Sequence, residues 1–144
     1  MLSMYPACFY KEKNNGYSVI FPDLNYLATQ GDSLEDAMEM AVDCLAGYLR
    51  SCQTDGEKIP APSNLADIDA VSVSKELSPD EPVGDCFVNM VSVDVEAYAR
   101  EHFDKSVRKT LTIPAWLNAA ALDKGINFSQ TLQEALISKV QARQ

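Results

Sequence analysis

Lys105 to Val140 reads KSVRKTLTIPAWLNAAALDKGINFSQTLQEALISKV, and the order of patterns within it sets the fold expected for the end of the chain. Side chains alternate across a strand, so in Val107-Arg108-Lys109-Thr110-Leu111-Thr112-Ile113 the apolar Leu111 and Ile113 share one face. Arg108, Thr110 and Thr112 share the other. Pro114 ends that strand and opens a helix, because its fixed φ suits a first turn. Trp116, Leu117, Ala120 and Ala121 follow at helical spacing, and Gly125 closes the helix as a left-handed cap. Asn127, with Gln130 three residues on, gives a capping-box-like start to a second helix. Phe128, Leu132, Ala135, Leu136 and Val140 then mark one apolar stripe on it. A lone strand leaves its backbone groups unpaired, and two short helices have little to pack on. The unit is close to the roughly 40-residue size below which a domain usually needs metals, disulfides or oligomerisation. This stretch has no cysteine and no metal-ligand spacing. The economical solution is a second copy, with two strands forming an antiparallel ribbon across a twofold axis.

Charge divides the chain at the same place. Residues 105–144 hold six Lys/Arg against Asp123 and Glu134, a net +4. The whole 144-residue chain carries −9, which leaves −13 on residues 1–104. A basic end can lie on a polyanion that the acidic body would repel, and such a body suits a basic protein partner. At 47% hydrophobic and 23% charged, the composition is that of a soluble globular protein with one real core and a small appendage. No apolar run approaches the roughly 18 residues of a spanning helix. Met1-Leu2-Ser3-Met4 lacks the charged and apolar regions of a signal peptide, so a cytoplasmic protein with no membrane partner is expected. Cys8, Cys44, Cys52 and Cys86 are scattered without a C-x-x-C pair, and buried free thiols are expected.

In the body, Tyr5 to Lys11 reads as a strand, with Pro6 suggesting an edge position. Asn14-Asn15-Gly16 is a turn signal, Tyr17 to Phe21 a second strand, and Tyr26 to Gln30 a short third one. Asp32 and Glu35 are spaced as a capping box for the longest helix. Leu34, Ala37, Met38, Ala41, Leu45, Tyr48, Leu49 and Cys52 line its apolar face, which should cover one side of the sheet. Gln53 to Asp85, with Pro60, Pro62, Pro79 and Pro82, is expected to be mostly irregular, Ile68, Val71 and Val73 adding a short strand or contact. Phe87 to Val95 is a strand, and Glu96 to Phe103 a short helix or linker.

The strand–helix–turn–helix order, with TLTIP leading in and GINFSQTL opening the last helix, resembles the ribbon-helix-helix DNA-binding family. That resemblance implies paired strands in the major groove, with Arg108, Thr110 and Thr112 facing base edges. It also implies a phosphate held at the start of the last helix, around Asn127 and Ser129. Lys105 and Lys109, with Arg108 and Lys124, would give about eight cations per dimer. Taken alone, the strand also fits an ordinary solvent-facing strand ahead of a helical hairpin. A helix-turn-helix with Ser129, Gln130 and Gln133 as readers is the nearby rival, and the polar–apolar strand upstream argues against it.

GYSVIFPDL, TQGDSLEDAMEMAVDCL and KIPAPS, in that order, make residues 4–63 similar to the HicB antitoxin family. The resemblance implies an α+β protein: a small antiparallel or mixed sheet with one covering helix (a partial ribonuclease-H-like domain), then a dimeric ribbon-helix-helix. The expected boundaries are 1–98 for a toxin-binding domain, 99–105 for a linker and 106–144 for the dimerising, DNA-binding unit. The implied partners are a small basic HicA-like toxin that cleaves mRNA, operator DNA, and a second copy of the chain, with further pairing into tetramers left open. Asn25-Tyr26 departs from the Pro-Gly that the family often has after PDL.

Chemistry in the body would need carboxylates converging on magnesium. Asp23 follows a strand and Asp94 lies on one, whereas Asp32 and Glu35 read as helix caps and Glu39 and Asp43 as a solvated face. His102 stands without a partner motif for nucleophilic catalysis, and no phosphate-cradling glycine loop occurs. No catalytic residue, cofactor or metal is therefore expected, and the toxin-facing residues are not readable from sequence. The competing readings are a metal-dependent ribonuclease-H-like nuclease and a free-standing regulator that senses a small ligand.

Overall fold

A computed structural model describes residues 1–104 and 108–142. The chain divides into two compact units, residues 1–105 and 106–144. The first is built from β1 (Ser3–Lys11), β2 (Tyr17–Phe21), β3 (Leu27–Gly31), α1 (Leu34–Asp55), α2 (Ala70–Leu77), β4 (Cys86–Val93) and α3 (Val95–His102). Its four strands run in the order β3-β2-β1-β4, every neighbouring pair antiparallel. The body is thus an α+β fold on an antiparallel sheet.

Register explains how both sheet faces are used. Phe9 opposes Val19 on one side and Phe87 on the other, and its ring stacks on Phe87 at 4.9 Å. This face, with Tyr5, Ala7 and Phe21, packs against Ala37, Ala41, Leu45 and Leu49 of α1. Cys8 points the opposite way and joins Ala70 and Val73 of α2, with Ile20, Ile68 and Val88. Two helices therefore cover the sheet, not the single one expected. The segment carrying Ile68, Val71 and Val73 ends in a helix because Asp69 caps it, its side chain accepting from the Val71 amide.

Several sequence expectations shift for identifiable reasons. β1 is central, so Pro6 is not on an edge strand. β2 pairs only with Cys8 to Lys11, however, so at Pro6 the strand is bordered by β4 alone and the missing donor is tolerated. The N-cap of α1 is Ser33, whose hydroxyl accepts from the Asp36 amide at 3.1 Å, while Asp36 accepts from the Asp32 amide at 2.8 Å. The box therefore sits one residue later than Asp32–Glu35 and closes on Asp32, one residue before the cap. Leu34, expected on the apolar face, is 43% exposed. Val95 leaves the strand to begin α3, and Asp94 caps that helix by accepting from the Ala97 amide. Of the thiols, Cys8 and Cys52 are buried and Cys44 and Cys86 half-buried, all free. Burial pushes the Cys8 thiol above its ordinary pKa, as expected of a packed and inert group.

The proline-rich stretch is strapped down by polar contacts. Ser63 donates its amide and its hydroxyl to the two Asp23 oxygens, each at 2.7 Å. The Tyr5 hydroxyl donates to the Pro60 carbonyl at 2.6 Å. Asn25 and Tyr26 both have φ of 57°, a left-handed pair that Pro-Gly could not reproduce, since proline cannot adopt positive φ.

The second unit contains α4 (Ala115–Asp123) and α5 (Phe128–Gln141). Pro114 sits at the N-cap of α4 rather than inside its first turn. Gly125 has φ of 66°, with its amide bonded to the Leu122 carbonyl and the Ile126 amide to the Ala121 carbonyl. That pairing is a Schellman closure, and it turns the chain into α5. Asn127 caps α5 by accepting from the Gln130 amide at 3.0 Å. The Gln130 side chain goes forward to Glu134 instead of back, so the box is half formed.

Candidate nucleic-acid and protein interfaces

Residues 108–113, expected as a strand, carry no strand pairing in the single chain. Among the described residues of this unit no strand occurs, and the two regular elements are α4 and α5. Arg108, Lys109, Thr110 and Thr112 are all exposed. Lys105 and Val107 lie outside the described residues.

The structure brings Arg108 and Lys109 together with Ser129 in one cleft of about 730 Å³. Thr110 and Thr112 do not line it. Ser129 accepts from the Gln133 side chain at 3.2 Å, and Asn127 is engaged as the cap. The helix start still presents the Phe128 and Ser129 amides without intrahelical acceptors.

Beside this mixed cleft, which Leu111, Phe128, Leu132 and Leu136 also line, lies an apolar groove of about 560 Å³ lined by Leu111, Ile113, Leu117, Ile126, Phe128 and Leu132, among others. Ala121 is the one residue of residues 108–142 that is buried. Leu111 and Ile113 both line this groove, which is open, and Leu111 also lines the cleft with Arg108 and Lys109.

In the body, the acidic candidates have structural occupations. Asp23 holds Ser63, as described above, and Asp94 caps α3 while pairing with the chain's amino group at 3.2 Å. The hydrogen bond from Ala97 comes first among the causes that hold the Asp94 carboxyl below its ordinary pKa. No cluster of metal-ligating side chains occurs among the described residues, and no helix among them is long and apolar enough to cross a membrane.

His102 belongs to the last turn of α3, not to a linker, and stacks on Tyr98 with ring centroids 4.1 Å apart. Tyr98 donates its hydroxyl to Asp43 at 2.9 Å. Burial, then this hydrogen bond, raises the Tyr98 pKa and keeps the hydroxyl protonated. Met38, Glu39 and Val42 of α1 complete a groove of about 360 Å³ with these two rings. Sequence reading missed this groove. Its only signal was a pair of i, i+4 spacings, Met38–Val42 and Tyr98–His102, on helices whose adjacency the sequence does not state.

The sequence profile of the HicB-like antitoxins of bacterial toxin-antitoxin systems matches residues 5–141. A protein named Antitoxin HicB 1, from Photorhabdus laumondii, is 43% identical over 58 residues, 40% of this chain and 37% of that protein. The match thus spans little more than a third of that relative's length. A solved structure described as a toxin-antitoxin complex from Streptococcus pneumoniae contains a chain 32% identical to this one, with a TM-score of 0.64. It covers 96% of this chain and 99% of that one. This chain belongs to the HicB-like antitoxin family.

Proposed function

We propose that this chain is the antitoxin of a HicA/HicB-like pair with a division of labour between its two units. The acidic body binds and occludes a small basic mRNA-cleaving toxin. The carboxy-terminal unit dimerises as a ribbon-helix-helix, binds operator DNA and represses its own operon. The observation that carries the DNA half is the open groove of residues 106–144. Apolar side chains line it beside residues 108–113, which have no strand pairing in the single chain, and a twofold copy would satisfy both at once. Arg108 and Lys109 beside the start of α5 then supply the cations and amides suited to a phosphate backbone. Toxin capture is supported by the −13 on residues 1–104, which favours fast encounter with a basic protein. The partial ribonuclease-H-like reading of the body rests on its strand and helix order. Because Asp23 and Asp94 serve as clasp and cap, that body is better suited to binding than to catalysis.

Two measurements test this reading. Co-expression with the small basic open reading frame beside its gene should restore growth and give a complex that co-purifies. A duplex from the promoter should bind the dimer with an affinity that falls steeply with salt. A monomer at micromolar concentration that ignores that duplex ends the DNA half, and the absence of a co-purified partner ends the toxin half.

A further inference from the structure

We propose that the groove between α1 and α3 is the socket for an arginine side chain of the basic protein that the body captures, a refinement that rests on the toxin-binding reading above. Met38 and Val42 supply an aliphatic wall and Tyr98 with His102 an aromatic one, around a space of about 360 Å³. Glu39 stands at its rim, exposed, with no hydrogen-bond or ion-pair partner among the described residues. The Tyr98 hydroxyl occupies only Oδ1 of Asp43, so the second carboxylate oxygen has no partner among the described residues. Nearby cations are already engaged: Arg50 pairs with Asp104 at 3.3 Å and Arg100 with Glu96 at 4.0 Å. The groove therefore combines apolar and aromatic walls with one unpaired carboxylate, that of Glu39.

That combination selects the ligand chemistry. An anion is repelled, and a neutral apolar group leaves that carboxylate unanswered when water is displaced. An arginine lays its methylene stem against Met38 and Val42, sets its planar guanidinium against the aromatic wall, and donates to Glu39. A lysine could supply the charge but not the planar fork. Arginine is also among the side chains that most often anchor protein interfaces.

The test uses the full chain and the product of the adjacent basic open reading frame, with binding followed by calorimetry. Glu39 is exposed, so Glu39→Lys should fold normally and weaken binding by about tenfold or more. Glu81→Lys makes the same charge change after α2, outside the groove, and should alter binding by less than about threefold. One partner arginine, changed to lysine, should weaken binding to the wild-type chain but add little in the Glu39→Gln background. Equal weakening by Glu39→Lys and Glu81→Lys, no effect at Glu39, or no partner arginine coupled to it overturns the proposal. Failure of the wild-type chain to bind removes the toxin-binding reading itself.

Discussion

Phe9 and Phe21 in the body are fully enclosed, whereas Trp116, the largest side chain of the carboxy-terminal unit, is 72% exposed. The two regions differ in whether one copy of the chain suffices. Four strands and three helices let the body close an apolar layer on each face of its sheet. In the second unit α4, α5 and the segment before them line a groove they do not fill. The lesson is that similar apolar patterning yields a finished core or a half-core depending on how many elements share it.

The comparison breaks most readily at Leu132. Leu132→Asp places a charge in the groove and is expected to abolish self-association and duplex binding together, while the body's thermal transition stays put. Sedimentation velocity beside circular dichroism reads both, and loss of the body's transition would show that the units are not independent. Gly31→Ala probes the other side. A Cβ there collides with the Ala37 backbone at the start of α1, so destabilisation of about 3 kcal/mol is expected in urea unfolding. Duplex affinity of the folded fraction should not change.

Arg108→Ala is expected to weaken operator binding by about 1–3 kcal/mol, if that arginine forks onto a guanine. Fluorescence anisotropy measures it, and an unchanged affinity counts against the strand-face assignment. The smallest effect is a gain. Tyr26→Gly relieves a side chain from φ of 57° and gives up one exposed hydrogen bond to Glu76. A rise of about 1 kcal/mol in the urea-derived stability is expected.

Much of the body could be read from residues because its signals are local. Alternation located β2, the Asn14-Asn15-Gly16 turn closed the hairpin with Asn15 at φ of 67°, and the period of α1 named Ala37, Ala41, Leu45 and Leu49 as its buried face. Errors fell where the deciding partner is remote in sequence. Pro6 does have a single neighbouring strand, but that β1 as a whole is central depends on β4, some 80 positions downstream. Of the two readings of Ile68, Val71 and Val73, the contact holds for Ile68 and Val73 and the strand does not, because alternate valines fit either element and the cap at Asp69 decided.

Sequence by itself determined that the chain has an acidic body and a basic end, that the end carries two short helices, and that those helices have too few apolar partners for a closed core. Composition and periodicity are properties of a line, and these conclusions need nothing more. Only the tertiary structure decided that a second helix covers the sheet, that Asp23 and Asp94 are a clasp and a cap, and that Tyr98 lies across from Glu39. Those facts depend on which distant segments meet, and contact in space is set by the packing of the whole body rather than by spacing along the chain.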